Sequence, residues 1–371
     1  MDEGRGPLPT RRGGTPLTLP SPTYRVAQWA TGNIGSRSLR AVIEHPQLEL
    51  VGLHVHAEEK AGRDAGELCG LGSTGVVATT DIDGIIASRP DCVLYMQQGS
   101  DIEVLCALLE SGANVVTTTG EFHHPPSIDP ALRTRVEAAC ARGDASIHST
   151  GSSPGFISEA LPIVLASIQR RLDRLRIEEH ADLSSRNTPG LLFDLMGYAK
   201  DPASFDPGRW AHGAQSFGPT LRQLADALGL PLDAIESTGQ VATATRTVEI
   251  AAGTIPAGTV AAQRMNVSGL RGGEVLLSFS ANWYCSTHID ADWDLHPTGW
   301  RVVVEGDCPL DVGLRFAVPL DHMAETTPGY TANRAVNAVP CVCEAPHGIR
   351  TTVDLPQVVA NLAGGPTVTH R

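Results

Sequence analysis

The segment NVVTTTGEFHHPP, residues 114–126, sets one carboxylate, Glu121, just past an apolar run and three threonines. Three chemistries suit an acid there: a metal ligand, a turn cap, or a group that moves a proton. His123 and His124 follow, but adjacent residues of an extended chain point opposite ways, so the pair is not expected to face one metal. Ahead of two prolines they are expected as loop structure, with at most one touching substrate. His148, in ASIHSTG, ends another apolar run aimed at the same edge, where it either orients a substrate or is a buried core histidine. In HIDADWDLH, His288, Asp290, Asp292, Asp294 and His296 alternate with Ile289, Ala291, Trp293 and Leu295. A strand puts these sets on opposite faces, either as a carboxylate wall for a metal or amine, or as the wet face of a sheet. Alternation alone accounts for every residue, so the wet face is expected. No metal site is expected in the chain.

A second constellation, AQWATGNIGSRSLR, joins an apolar run to a helical pattern and carries Gly32 and Gly35, with Ala30 where a dinucleotide fingerprint has its first glycine. Gly32 lets backbone approach a pyrophosphate, Gly35 lets the helix sit close to the strand, and the free N–H groups of the helix start face the anion. Thr31, Gly32, Asn33, Ile34 and Gly35 are therefore the expected cradle; a tight turn with no ligand is the plain alternative. An NAD site has an acid at the tip of the second strand to hold the ribose 2′-hydroxyl. Here the tip is LHVHAEEKAGRDAG, with His54, His56, Lys60 and Arg63. His56, Lys60 and Arg63 suit a 2′-phosphate, so NADP is expected; NAD stays open because Glu58 and Glu59 stand within reach of a ribose. Gln97 and Thr119 complete the expected cofactor contacts.

These residues need a scaffold, and the hydrophobic pattern supplies one. YRVAQWA, LELVGLHVH, DCVLYM, NVVTTT and ASIHST are strands separated by helices such as NIGSRSLRAVIEH and DIEVLCALLESG. Alternation of this kind means right-handed crossovers and a parallel sheet. The expected fold class is α/β, with a Rossmann-type doubly wound domain over residues 24–150. Residues 151–327 are expected as a second α+β domain on a mostly antiparallel sheet, serving substrate binding and dimerisation. It opens with SSPGFISEALPIVLASI, a helix with Pro154 near its first turn, and Ser152, Pro154 and Phe156 form the hinge. Phe156 is expected as an apolar pocket wall. A helical insertion carries Tyr198, Trp210 and Phe217 as a possible lid. Residues 328–371 are expected to pack back on the first domain, and residues 1–23, rich in proline and glycine, to be a disordered tail.

The chain has 371 residues, ample for two cores, and a net charge of −13, which argues against nucleic acid or an anionic membrane as partner. The run ALPIVLASI is too short and too broken to span a bilayer. Eight cysteines without a CxxC pair suggest neither a disulfide framework nor zinc, which suits a reducing cytoplasm.

QWATGNIGSRSLR, HAEEKAGRDAGEL, NVVTTTGEF, STGSSPGF and GYTANRAVNAVP together resemble the 2,4-diaminopentanoate dehydrogenase and native amine dehydrogenase family, a branch of the dihydrodipicolinate reductase-like fold. The similarity spans nearly everything after the tail. It implies NAD(P)H-dependent reductive amination of a ketone with ammonia, or the reverse oxidation of an amine. It implies that Glu121 is the catalytic carboxylate, that Asn337 lies near the nicotinamide, and that the chain forms a homodimer through its antiparallel sheets. A dihydrodipicolinate reductase carries a His-His-x-x-Lys run at the start of its substrate domain. IEEHADLSSRNTPG keeps His180 but offers only Arg186 beyond it, which disfavours a role in lysine biosynthesis.

On this assignment Glu121 takes a proton from ammonium, helps expel water from the carbinolamine, and stabilises the cationic iminium. His148, Phe156 and Tyr198 are the expected substrate contacts. Two alternatives remain at this level: reduction of another C=N or C=C bond without ammonia, and a non-catalytic NADP(H)-binding sensor.

Overall fold

The computed structural model describes residues 23–205 and 208–362. The expected tail thus falls almost wholly outside the described residues, as does the end of the chain from 363. The first part runs β1 (Tyr24–Trp29), α1 (Asn33–Glu44), β2 (Leu48–His54), α2 (Ala65–Leu68), β3 (Ala78–Thr79), α3 (Ile82–Ala87), β4 (Cys92–Tyr95), α4 (Ile102–Glu110), β5 (Asn114–Thr117), α5 (Pro130–Gly143) and β6 (Ser146–Ser149). Helix starts follow local chemistry: Asp101 accepts the N–H groups of Glu103 and Val104, and Asp129 those of Ala131 and Leu132 just ahead of α5.

After β6 the chain enters a hinge, and the Ser153–Pro154 peptide is cis. The helix expected to begin at Pro154 takes helical dihedrals only beyond Gly155, whose φ is 117°. It continues into α6 (Leu161–Ala166). Next come β7 (Leu172–Asp182), α7 (Arg209–Ala227), β8 (Ala234–Thr243), β9 (Val248–Ile250), β10 (Gly253–Ile255), β11 (Val260–Arg271), β12 (Glu274–Tyr284), β13 (Gly299–Gly306) and β14 (Leu310–Arg315). Finally α8 (Leu320–Cys343) and β15 (Gly348–Arg350) return to the first sheet.

That sheet has seven strands in the order β15-β6-β5-β4-β1-β2-β3, paired in parallel throughout. Alternate residues feed two cores. Ala27, Val93, Val115 and Ile147 pack with Leu105, Leu109, Val136 and Ala139 of α4 and α5. Val26, Leu94 and Val116 pack with Val42 of α1 and with Val336 and Val339 of α8. The register sets His54, Trp29, Tyr95, Thr117 and Ser149 in one row at the carboxyl ends of five strands.

The second sheet, β14-β13-β7-β12-β11-β8, is antiparallel except for the parallel β7–β12 pair. One face buries Leu175, Ile177 and Phe279 against Ile157 of the hinge helix and Phe217 and Leu221 of α7. HIDADWDLH is not a strand: β12 stops at Tyr284, and the only pairing in that segment among the described residues is a single bridge, Ala244 to Ile289. Its alternation survives as an extended loop in which Ile289, Ala291, Trp293 and Leu295 pack over Ala242, Ala262 and Tyr284. Asp290 there accepts the Thr243 N–H at 2.7 Å. No helix among the described residues is long and apolar enough to cross a membrane.

Candidate active site

Hydrogen bonds from within the chain hold the loop after β1. Ala30 sits in the left-handed region at φ 68°, where the fingerprint's glycine would be unstrained. Its carbonyl accepts from the buried Gln28 Nε2 at 3.0 Å, while Gln28 Oε1 accepts from Ser38 Oγ at 2.8 Å. A Cβ on Gly35 would stand 2.3 Å from that same carbonyl, so α1 packs on the loop only because position 35 is glycine. A Cβ on Gly32 would meet nothing within 4 Å among the described residues. No side-chain cap bond and no acid in the first turn occupy the start of α1. Open backbone over Gly32 and free N–H groups beyond it fit a pyrophosphate. Asn33 is held from within the helix by Arg37 Nη1, at 2.7 Å to its Oδ1, and Ile34 is half-buried.

At the tip of β2, His54 stacks on Trp29 with ring centroids 3.7 Å apart. Burial, with the neighbouring His56, pushes the His54 imidazole down to about 4. Lys60 Nζ donates to the Thr31 carbonyl at 3.2 Å and to Thr31 Oγ1 at 3.1 Å, so this cation belongs to the glycine loop. His56 and Arg63 are exposed beside it, as are Glu58 and Glu59.

Glu121 lies four residues beyond Thr117 of the row, two strands from β1, or about 10 Å across the sheet. A chain of hydroxyls reaches it. Thr117 Oγ1 and Thr119 Oγ1 are 3.2 Å apart, Thr119 Oγ1 and Ser100 Oγ are 3.1 Å apart, and the Ser100 hydroxyl donates to the Glu121 carboxylate. Burial pushes the nearby Tyr95 phenol up to about 12, with the charges of Asp101 and Glu121 adding to it. Gln97 closes the row's other side by accepting from Trp29 Nε1 at 2.9 Å.

The loop carrying Glu121 is fixed residue by residue. Phe122 is buried in the first core. His123 Nδ1 meets Glu159 Oε1 of the hinge helix at 2.6 Å, both side chains sealed from water. His124 turns the other way, to Asp226 of α7 at 3.0 Å and Ser127 Oγ at 2.6 Å. Burial opposes charge on Glu159, yet His123, Thr352 and Thr220 hold its carboxyl below the ordinary range. Glu121 itself stays exposed, bordering a cleft of about 470 Å³ whose far wall is Gln215, Pro219 and Arg222 of α7.

The other expected substrate contacts fare differently. Tyr198 is a core residue: it is fully buried among Leu192, Ile255 and Val260, and its hydroxyl donates to the Trp283 carbonyl at 3.0 Å. Phe217 stacks on Phe279 at 3.9 Å and Trp210 on Phe205 at 5.1 Å, so the insertion's aromatics pack rather than form a lid. His148 is buried, with Nδ1 2.8 Å from the Arg350 carbonyl, and burial pushes it down to about 4. It faces a cavity it shares with Phe156, separate from the Glu121 cleft. Asn337 lies six positions past Thr331, which contacts the hinge Ser152, and so about 9 Å further along α8. Its neighbours Val336 and Val339 pack against the sheet face, below the carboxyl edge. Nearer that edge, Thr327 and Tyr330 of α8 join Ser152, His180, Arg186 and Trp300 around a cleft of about 180 Å³. Among the described residues no cluster of His, Cys, Asp and Glu is arranged to hold a metal. Sequence reasoning missed Gln28, Ser100 and Glu159, whose partners lie 1 to 193 residues away.

Residues 156–369 match the family described as 2,4-diaminopentanoate dehydrogenase C-terminal domain, and residues 29–129 the family described as dihydrodipicolinate reductase N-terminus. The chain is 30% identical over 346 residues to an amine dehydrogenase of Streptomyces virginiae, covering 88% of this chain and 95% of that one. Its fold is that of an amine dehydrogenase from Mycobacterium smegmatis, with a TM-score of 0.71 at 22% identity, covering 91% and 97% of the two chains. A probable dehydrogenase from Thermotoga maritima follows at a TM-score of 0.53 and 12% identity, covering 89% and 92%. The chain belongs to the 2,4-diaminopentanoate dehydrogenase and amine dehydrogenase family of NAD(P)-dependent oxidoreductases.

Proposed function

We propose that the enzyme catalyses reductive amination of a small ketone with ammonia, and the reverse deamination, with Glu121 as the catalytic carboxylate. The observation that carries this is Glu121 itself: an exposed acid at the carboxyl edge of β5, anchored through Ser100 and facing a cleft closed by α7. A bound nicotinamide supplies or accepts the hydride. Glu121 takes a proton from ammonium, so that neutral ammonia attacks the carbonyl. It then returns a proton to the carbinolamine oxygen as water leaves. Ionised again, it faces the iminium cation and favours its reduction. A carboxylate held by one hydroxyl donor keeps lone pairs free for these transfers.

Glu121→Gln is expected to lower kcat by roughly 10²–10⁴ while nicotinamide binding, followed by cofactor fluorescence, stays unchanged. NADPH oxidation with a ketone panel should require ammonium. Turnover that ignores ammonium would point instead to reduction of another C=N or C=C bond.

NADP is the assigned cofactor, supported by Lys60 on the glycine loop and by exposed His56 and Arg63 beside it. Lys60→Ala should raise KM for NADPH about tenfold more than KM for NADH, as loss of a charge-assisted phosphate contact would. The assignment extends to a cytoplasmic homodimer. All eight cysteines are free thiols. One face of the second sheet carries Arg176, Glu178, Asn266 and Ser280, a polar surface suited to a twofold contact.

A further inference from the structure

Behind the hinge lies a cavity of about 410 Å³, between the hinge helix with α6 on one side and residues 352–358 on the other. Its walls are mainly apolar: Phe156, Leu161, Val164, Leu355 and Val358. Val164 and Val353, at 54% and 51% exposure, leave an apolar mouth. Into this space α8 sends Arg334. Its Nε is sealed from water and has no hydrogen-bond partner among the described residues. Its Nη1 reaches only the Val358 carbonyl, at 3.5 Å, the outer limit for such a bond. Glu159, whose charge acts on it through space, is already engaged by His123 and Thr352. His148, also on the wall, spends Nδ1 on the Arg350 carbonyl and is kept neutral by burial. The cavity therefore offers one guanidinium with no ion-pair partner among the described residues, beside an apolar trough. A guanidinium fork matches the planar geometry of a carboxylate.

We propose that this cavity is a second small-molecule site, distinct from the Glu121 cleft, that takes an aliphatic monocarboxylate: the carboxylate on Arg334, the chain along Phe156, Leu161, Val164 and Leu355. Neither the hydride chemistry nor the choice of cofactor bears on it. An occupant would bridge the hinge helix to the segment after β15.

Calorimetric titration of the full-length protein with octanoate, against octanol and octylamine, tests the site. Octanoate should bind at least tenfold more tightly than either control. Arg334→Gln should erase that preference while leaving octanol within about twofold, as loss of a charge-assisted bond predicts. Val164→Trp, at the exposed mouth, should block octanoate by filling the trough without touching the charge, and it keeps the test open if the arginine variant does not fold. Equal binding of octanoate and octanol, or a preference that survives both substitutions, overturns the proposal.

Discussion

Ser100 reaches Glu121 from the turn after β4, across a separation of 21 residues. Its hydroxyl aims the carboxylate without neutralising it, and the Thr117–Thr119 pair steadies it from behind. Ser100→Ala should therefore cost about 1 kcal/mol of transition-state stabilisation, read as a three- to tenfold loss in kcat with cofactor affinity unchanged. A similar fall in cofactor affinity would instead assign Ser100 to the nucleotide. Gly35 is the stricter position. A methyl there meets the Ala30 carbonyl at 2.3 Å, and that carbonyl is fixed by Gln28. Gly35→Ala should weaken nucleotide binding about tenfold and lower stability by about 1–3 kcal/mol, measured by fluorescence titration and urea unfolding. Gly35 was legible in the sequence because a GxxG between strand and helix has one steric meaning. Ser100 was not, because a serine before a capping aspartate looks like any turn until the fold brings it beside an acid.

At the scale of elements, the loop from Gly120 to His124 is clamped at two points, and these decide how Glu121 faces α7. The inner clamp is the sealed His123–Glu159 pair. Removing one partner of such a pair leaves a stranded charge or donor, so Glu159→Gln should destabilise the protein by about 3–5 kcal/mol. His123→Phe should cost much less when Glu159 is already Gln than when it is Glu, because the stranded carboxylate is then gone. Additive losses in urea unfolding would mean the two side chains stabilise the junction independently. The histidines' divergence follows from chain geometry and was visible beforehand; their partners, on the hinge helix and α7, were not. Tyr198 shows the opposite failure. An aromatic in an insertion suggests a lid, yet its hydroxyl finds the Trp283 carbonyl and the ring finds a core. HIDADWDLH shows that period-two alternation reports which side is dry, even where no strand forms.

Across the whole molecule, the parallel sheet was legible from alternating strands and helices, but its last member was not: β15 has three residues, too few to leave a pattern. It pairs with β6 and puts the Arg350 carbonyl on His148. Two histidines at opposite parts of this sheet, His54 and His148, are held neutral by burial and pushed down to about 4. In the unfolded chain each returns to about 6.5. Between those values the unfolded state binds more protons than the folded one, so stability rises with pH across the window from about 4 to about 6.5. Each histidine contributes up to about 1 kcal/mol per pH unit there, and neither contributes to the slope above it. His54→Phe keeps an aromatic ring on Trp29 while removing one titration. Urea midpoints taken from pH 4.5 to 8 should then show a shallower slope below pH 6.5 in the variant and parallel plateaus above it. A slope unchanged by the substitution would mean that His54 takes up its proton in the folded protein as readily as in the unfolded chain.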